Sequence, residues 1–430
     1  MRRWIAVAAA SIVLAVSACS GGSSGSTELS DKPVTLRFTW WGADARHQRT
    51  QQVIDLFHKE HPNITIKGEF KDWNGYWDSL ATTVAANDAP DIIQMDELYL
   101  ASYADRGALL DLKTQGEHLK LDGIDPKALA TGAIDAKQYA LPVGLASLSL
   151  VANTDLFAKY GVPLPNDDTW TWDDLWALAA KFSAASGGKV VGLQSYGMDG
   201  GGLVLRARQQ GNSLYDDAGK KVVVKPEIVR DFFEQGAKLS KDGAIPKPGL
   251  LIEQASATLD QSGTGTNTAA LGFWWNTQLT SLTKASGQHL KLLKLPGEST
   301  AAKPGAYYKP SMFWSISSRS KHPAEAALFV DFLANSKEAG DILLTDRGVP
   351  ANKAVLTAIT PKLGSTDKAA ADYLAAIKVS DPPRVTPNGG SGIDDIIRRH
   401  AEDVLFGRQP ADQAANAFIT ELQKEIDSAS

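Results

Sequence analysis

Strand-like and helix-like hydrophobic patterns alternate along the chain from residue 34 onward. Val34–Trp41 (VTLRFTWW) is rich in β-branched and aromatic residues, which predicts a first strand. Residues 44–61 then repeat apolar side chains at helical spacing and stop at Pro62, which predicts a helix. The next predicted elements are a strand, a helix and a buried strand at 64–67, 77–86 and 91–95. This order of elements is typical of a doubly wound α/β sheet.

A similar pattern recurs after residue 142. Strands are predicted at 147–152, 190–193, 269–273 and 313–317, and helices at 156–160, 171–184 and 324–334. Thr171 and Asp174 resemble a capping box that opens the second of these helices. The pattern therefore predicts two α/β units that separate near residues 142–146. A cleft between two such lobes is a favoured place for a ligand.

The amino terminus predicts export followed by lipidation. Arg2 and Arg3 precede an apolar run at 5–16 that is too short to span a bilayer. Cys19 follows within Val-Ser-Ala-Cys, which resembles a bacterial lipobox with valine in place of leucine. A lipid on Cys19 and the Gly/Ser-rich tether at 20–30 would hold the protein body at the outer face of a membrane. The alternative is an ordinary secretory signal with an unrelated cysteine.

Composition and charge narrow the functional classes. The chain has 430 residues, 43% hydrophobic and 22% charged, which is typical of a globular protein of two to three domains. Its 44 basic and 49 acidic residues are well mixed, and without a basic block nucleic-acid binding is not expected. The single cysteine excludes an internal disulfide and any CxxC site.

The sequence contains no motif that nominates a catalytic or cofactor site. His58 and His61 lie three apart on a predicted helix, but they do not form HExxH and no third ligand is nearby. The glycines at 263–272 have the wrong spacing for a dinucleotide or phosphate loop. We therefore expect no cofactor, no metal and no enzyme activity.

Aromatic and polar residues collect at the predicted strand ends. Open α/β sheets bind ligands at the carboxyl ends of their strands. Indole rings offer flat apolar faces, and polar neighbours supply directional hydrogen bonds, a combination that suits a sugar ring. The residues at such ends are Trp40, Trp41, Asp96, Trp274 and Trp275.

Other tryptophans fit the core as well as a site. Trp73, Tyr76 and Trp77 lie in a loop that leads into a helix, and we expect at least one of them to reach the cleft. Trp172 and Trp176 have helical spacing behind a helix cap, which favours core packing.

Several segments together resemble one family. The sequence is similar to the solute-binding lipoproteins of bacterial ABC sugar importers (family 1, maltose-binding-protein-like). The matching segments, in order, are VTLRFTWWG (34–42), FHKEHPNITIK (57–67), DWNGYWDSL (72–80), APDIIQMD (89–96), ALPVGLASLSLVANTDLF (140–157), TWDDLWALAAKF (171–182), ALGFWWNTQL (270–279), AALFVDFLAN (326–335) and GVPANKAV (348–355). Each is weakly specific, but their order and spacing cover nearly the whole mature chain.

The resemblance implies a two-lobed periplasmic-binding-protein fold of the class II type, with a ligand cleft between the lobes and hinge crossings. The crossings are expected near 143–147, 309–314 and 358–370. The implied division is a signal peptide at 1–18, lipidated Cys19 with a tether at 19–32, an N-terminal lobe at 33–145 plus 312–360, and a C-terminal lobe at 146–311 plus 361–430.

The candidate ligand-binding residues come partly from the strand-end argument and partly from the resemblance. They are Trp40, Trp41, Asp44, Arg46, Trp73, Tyr76, Asp96, Trp274, Trp275, Trp314, Arg384 and Asn388. The doubled tryptophan departs from the single aromatic of the family, so Trp274 and Trp275 could exchange roles.

The expected protein is a monomeric receptor that binds a carbohydrate, closes around it and is recognised by the transmembrane subunits of an ABC permease. Its contact with the membrane would be the lipid anchor alone. Three alternatives remain open on the sequence. They are a receptor for glycerophosphodiesters or other polar solutes, with Arg46 or Arg384 as the cation, a secreted carbohydrate-active enzyme, and a surface adhesin.

Overall fold

The computed structural model of the chain describes residues 27–42, 44–255 and 257–429. The predicted signal peptide, Cys19 and the tether as far as residue 26 lie outside the described residues. The expectations for those segments therefore stay predictions.

The strands and helices follow one another in mixed α/β order. The strands are β1 (Val34–Trp41), β2 (Ile64–Lys71), β3 (Ile92–Met95), β4 (Ala133–Ile134), β5 (Lys137–Gln138), β6 (Leu141–Ala146), β7 (Leu148–Asn153), β8 (Val191–Leu193), β9 (Ala269–Trp275), β10 (Leu290–Leu293), β11 (Lys309–Ile316) and β12 (Val349–Pro350). The helices are α1 (Asp44–Glu60), α2 (Trp73–Ala85), α3 (Glu97–Asp105), α4 (Pro126–Ala130), α5 (Thr154–Lys159), α6 (Trp172–Ala185), α7 (Gly200–Gln209), α8 (Pro226–Asp242), α9 (Pro248–Ala255), α10 (Leu279–Ser286), α11 (Pro323–Asn335), α12 (Lys337–Leu343), α13 (Lys353–Ile359), α14 (Ser365–Ala376), α15 (Ile393–Leu405) and α16 (Ala411–Ala429).

The first lobe is built on a six-stranded sheet in the order β12-β6-β11-β3-β1-β2. Strands β2, β1 and β3 are parallel, as the strand–helix alternation predicts. Strand β11 comes much later in the sequence and pairs antiparallel with both β3 and β6. The central strands are covered on both faces, and for this reason their side chains are almost continuously buried.

The second lobe is built on a four-stranded sheet in the order β10-β7-β9-β8. Helices α6, α7, α8, α15 and α16 contribute buried side chains to its hydrophobic core. The chain enters this sheet directly from the first, because only Ser147 separates β6 from β7. It returns between β10 and β11. Helix α14 lies at the boundary of the two lobes, because its buried side chains belong to the core of the first lobe while it also contacts α10.

Asn276 hydrogen-bonds to two of the segments that lie where the two lobes meet. It is fully buried, and its Oδ1 accepts a hydrogen bond from Ser147 N at 2.8 Å. Its Nδ2 donates to the carbonyl of Ala370 in α14 at 2.9 Å. One side chain therefore holds two of the crossing segments at a common point.

Several predicted element bounds need correction. Helix α2 begins at Trp73, not near residue 77, because the Asp72 side chain caps it by accepting from Gly75 N at 2.9 Å. Strand β9 continues to Trp275, and β11 begins at Lys309. The predicted elements at the other positions are present, with ends that differ by a few residues.

The predicted capping box of α6 is confirmed. Thr171 Oγ1 accepts from Asp174 N at 3.2 Å, and Asp174 Oδ2 accepts from Thr171 N at 2.8 Å. Asp replaces the usual Glu at this position and still reaches the backbone.

We expect Thr171→Ala to lower the free energy of unfolding by about 1 kcal/mol, because one helix donor loses its acceptor. Chemical denaturation would measure the change. Thr169→Ala, at an exposed position just outside the helix, is the matched control and should leave stability unchanged. Equal midpoints for Thr171→Ala and wild type would contradict the role of the cap.

Candidate ligand-binding cleft

A cavity of about 320 Å³ lies between the two lobes and takes its walls from both. The first lobe contributes side chains at the ends of β3 and at the starts of α2 and α3. The second contributes the amino end of α7, the end of β9 and the start of α15, and a loop at 382–386 completes the wall. The residues that line the cavity include Trp73, Asp96, Glu97, Gly200, Gly201, Arg208, Tyr215, Trp275, Tyr307, Lys309, Arg384 and Asp394.

Trp275 provides an aromatic wall from the second lobe. It is the last residue of β9 and is half-buried. The Lys309 ammonium lies 5.5 Å from its ring centroid, and the Tyr307 ring meets it edge-on at 6.4 Å. The indole is thus held from two directions while part of its surface stays open to the cavity.

Trp73 provides an aromatic wall from the first lobe. It is the first residue of α2 and keeps 38% of its surface exposed. Trp41 and Trp77 pack edge-on against its ring, with centroids 5.0 and 5.5 Å away. Tyr76 lies beneath this group and is itself held in place, because its buried hydroxyl donates to the carbonyl of Gln94. Trp73 is therefore an exposed aromatic ring that buried aromatic side chains hold in a fixed position.

Asp96 follows β3 directly and caps α3, where its Oδ1 accepts from Leu98 N at 3.0 Å. Burial raises the pKa of this carboxyl group, and the nearby Lys309 ammonium opposes the rise. Its Oδ2 has no hydrogen-bond partner among the described residues, and such a carboxylate oxygen is a strong acceptor for a ligand hydroxyl.

Two carboxylates hold the glycine-rich start of α7. Asp199 Oδ1 accepts from Gly202 N at 2.6 Å, and Asp394 Oδ1 accepts from Gly200 N at 2.8 Å. Loss of hydration raises the pKa of Asp199 to about 6, and repulsion by Asp394 adds to the rise.

The Arg208 guanidinium is hydrogen-bonded within the protein, so it is not a free cation for a ligand. Its guanidinium donates to the carbonyl of Gly305 at 3.1 Å and to Ser380 Oγ at 2.6 Å. It also lies 5.0 Å from the centroid of Tyr307. These contacts fix the Tyr307 ring in the cleft.

Four of the predicted site residues line the cavity, namely Trp73, Asp96, Trp275 and Arg384. Trp41 and Tyr76 do not line it, but Trp41 packs against Trp73, and Tyr76 packs against Trp41 and Trp77. The structure therefore brings half of the candidate set to one place.

The remaining candidates lie elsewhere, for identifiable reasons. Trp40 and Trp314 are fully buried and pack with Phe38 in the core of the first lobe. Trp274 alternates with Trp275, so its indole points to the opposite face of β9, where Nε1 donates to Thr264 Oγ1 at 3.0 Å.

Three polar candidates are also outside the cavity lining. Arg46 forms an ion pair with Asp346 at 3.0 Å, so it is not the free cation that a phosphodiester would need. Asp44 is exposed at the start of α1, and Asn388 donates to the carbonyl of Ala429 at 2.7 Å.

Some cleft residues were not predicted. Tyr215 and Tyr307 come from loops, Lys309 from the start of β11 and Asp394 from the start of α15, and none of these segments carries a motif. One signal was available, because Asp199 before three glycines is a helix N-cap pattern.

We expect Asp199→Asn to reduce the loss of stability between pH 4 and pH 6. An aspartate ionises near about 3.9 in an unfolded chain but near about 6 here. This carboxyl group therefore binds more protons in the folded state over this range, and its own contribution to stability falls as pH rises. Asparagine keeps the helix cap and does not titrate, so the melting temperature of the variant relative to wild type should rise with pH. Asp217→Asn, at an exposed loop carboxylate, is the control. A pH-independent difference would contradict the shift.

Among the described residues, none of the helices is long and apolar enough to cross a membrane. The same part of the chain contains no group of three or more His, Cys, Asp or Glu side chains that could hold a metal ion.

Two α/β lobes around a shared cleft define a binding protein of the periplasmic class, and the family comparison agrees. The model of the family described as bacterial extracellular solute-binding protein matches residues 52–372. The chain belongs to this family, which consists of non-catalytic binding receptors, so it is a solute-binding protein of ABC transport. The predicted family and the absence of enzyme activity are thereby confirmed.

Relatives at low identity extend over most of the chain. The diacetylchitobiose binding protein DasA of Streptomyces coelicolor is 24% identical over 98% of this chain and 97% of its own. An uncharacterized lipoprotein of Streptomyces antibioticus is 25% identical over 81% of this chain and 76% of its own. A periplasmic oligogalacturonide binding protein from Yersinia enterocolitica superimposes with a TM-score of 0.79 at 25% identity, over 92% of this chain and all of its own. The two-lobed fold predicted from the sequence is confirmed.

Proposed function

We propose that this protein captures an oligosaccharide in the cleft between its lobes and delivers it to an ABC permease. The observation that carries the proposal is that one cavity has a partly open indole from each lobe, Trp73 and Trp275. Sugar rings have apolar C–H faces that stack on such surfaces, and their hydroxyls need polar groups such as Asp96.

The charges of the cleft favour a sugar over a phosphodiester. The acidic lining residues are Asp96, Glu97 and Asp394, and the basic ones are Arg208, Lys309 and Arg384. Equal numbers of each sign give little net attraction for an anion. Arg208 is already bonded to the protein, and Arg384 lies 4.0 Å from Asp135.

The relatives support the same class of ligand. Two of them are named as binding proteins for diacetylchitobiose and for oligogalacturonide. Both are short oligosaccharides, one uncharged and one anionic.

Ligand binding would work by closing the lobes. A ligand that contacts Trp73 and Trp275 together binds the closed form better than the open one, and this difference shifts the hinge equilibrium. The moving bodies would be the two lobes at 33–145 plus 312–360 and 146–311 plus 361–430. The bonds of Asn276 to Ser147 and Ala370 would lie near the pivot.

Thermal shift of the exported protein tests the proposal. The probes are diacetylchitobiose, cellobiose, raffinose, digalacturonate and glycerophosphocholine, each followed by isothermal titration and a product assay. A probe at 100 times its Kd adds about 2.7 kcal/mol of stability, which is readily measured. A shift with a saccharide and no product supports the proposal. A shift with glycerophosphocholine alone would replace the sugar with a phosphodiester.

The receptor would be held at the outer face of the cytoplasmic membrane by a lipid on Cys19. We expect Cys19→Ser to release the protein from the membrane fraction into the medium, because no second anchor is predicted in the sequence. Cell fractionation with an immunoblot would measure this. Ser20→Ala is the control, and retention of Cys19→Ser on the membrane would contradict lipid anchoring.

A further inference from the structure

One backbone donor at the start of α7 belongs to a residue that lines the cleft and has no partner in the part of the chain that the structure describes. Gly200 N and Gly202 N donate to Asp394 and Asp199, and Leu203 N donates to the carbonyl of Asp199 at 3.2 Å. Gly201 N lies between these bonded groups and has no hydrogen-bond partner among the described residues. Gly201 lines the cavity, so this donor at a positive helix end is available to a ligand.

The lack of a side chain at residue 201 leaves room beside Trp275. A Cβ added there would lie 4.0 Å from Trp275 Cζ2 and 3.4 Å from Asp199 Oδ1, which are ordinary contact distances. Alanine would therefore fit the protein itself. Its methyl group would instead occupy space next to the indole, where a stacked ligand would lie.

Tyr215 supplies a second observation at the same end of the cleft. The side chain lines the cavity and is 7% exposed, and its hydroxyl has no hydrogen-bond partner in the described part of the chain. Burial raises the pKa of this hydroxyl, and the carboxylates of Glu97 and Asp394 raise it further. It therefore stays protonated and can donate. Buried hydroxyls without partners are rare in folded proteins and indicate a missing bonding group.

We propose that Gly201 N–H and the Tyr215 hydroxyl form a subsite that hydrogen-bonds uncharged oxygens of the ligand. The flanking carboxylates of Asp199, Asp394 and Glu97 repel an anion at this place, so the oxygen belongs to a sugar hydroxyl or to an acetamido carbonyl. This inference rests on the proposed function and assigns the chemistry of one end of the same cleft.

The test compares Gly201→Ala and Tyr215→Phe with a matched control, Gly249→Ala. Gly249 is the second residue of α9, as Gly201 is of α7, and an added Cβ there meets nothing within 4 Å. Isothermal titration would use diacetylchitobiose, cellobiose and digalacturonate. We expect Gly201→Ala to raise Kd by about tenfold or more, as one misplaced methyl group does in a fitted site. Tyr215→Phe should raise Kd by about tenfold through one lost hydrogen bond.

Melting temperatures of the free proteins give a readout that does not depend on the probe. Tyr215→Phe should melt above wild type, because it removes a buried polar group without a partner. Gly201→Ala should melt at or above wild type, because alanine favours a helix more than glycine does. A lower melting temperature for Tyr215→Phe would show that the hydroxyl is already bonded within the protein, which overturns the subsite.

Comparison of the three ligands separates the possible outcomes of the experiment. A larger loss for diacetylchitobiose than for cellobiose supports an acetamido carbonyl, and an equal loss supports a hydroxyl. Wild-type binding with unchanged Kd in both variants overturns the subsite and leaves the proposed function intact. Binding of digalacturonate alone overturns the uncharged character of the subsite. A wild-type protein that binds none of these sugars, nor raffinose, overturns the proposed function and this inference together.

Discussion

Trp275→Ala is expected to weaken saccharide binding by about a hundredfold while the protein remains folded. The indole is an apolar surface that the second lobe offers to the cleft, and Lys309 and Tyr307 lie against it. Truncation of a central aromatic contact costs about 2–4 kcal/mol of binding free energy, and each 1.4 kcal/mol is tenfold in Kd. Isothermal titration with the best saccharide of the panel would measure the loss.

The neighbouring residue is a matched control. Trp274→Ala removes the same side chain from the opposite face of the same strand, where the indole packs near Val151, Leu279 and Leu282. It should lower the melting temperature through lost packing and leave Kd close to wild type. The reverse result, with Trp274→Ala abolishing binding and Trp275→Ala neutral, would place the ligand on the other side of the sheet.

Asp96→Asn is expected to raise Kd by about 10- to 100-fold. A hydrogen bond to a charged group contributes about 1.5–3 kcal/mol, and Asp96 offers the cleft a carboxylate oxygen beyond the one that caps α3. Asparagine keeps the cap, so the change tests the charge and not the helix. Titration calorimetry and circular dichroism would report binding and folding separately.

Asp72→Asn provides the comparison for Asp96→Asn. Asp72 caps α2 in the same way, through its bond with Gly75 N, but does not line the cavity. Its substitution should leave Kd unchanged. Equal effects of the two substitutions would show that helix capping, and not contact with the ligand, explains the loss.

The sequence predicts the fold better than the site, and β9 shows why. The hydrophobic run before Trp274 and Trp275 identifies a strand, but neighbouring residues on a strand point to opposite faces. Only the packing of α10 against one face decides which indole remains open. A one-residue difference in register would exchange their roles.

Buried aromatic residues explain the other misplaced candidates. Trp40 and Trp41 end a strand that is covered on both faces, so both indoles are buried although one backs the cleft. Trp314 lies on β11 in the middle of the first sheet, between β3 and β6, and is fully buried. Strand-end position alone does not distinguish these cases, because burial depends on helices that come from distant parts of the chain.

The residues that the sequence did not reveal come from segments brought together only by the fold. Tyr307 lies just before β11 and Lys309 is its first residue, while Tyr215 and Asp394 lie in a loop and at a helix start of the second lobe. Their convergence depends on the crossings near Ser147 and Asn276. Local sequence carries no information about such long-range contacts.

The central position of β11 also has a consequence for the order of synthesis. Phe313 pairs with Met95, more than two hundred positions earlier, so β3 and β6 each lack a neighbour until Lys309–Ile316 has left the ribosome. Closing a loop of this length costs entropy before any contact repays it, and folding dominated by distant pairings is slow. The sheet of the first lobe therefore cannot be completed until roughly the last third of the chain is being made. We expect this lobe to remain incompletely folded until then, which would suit a chain whose predicted leader directs it to export.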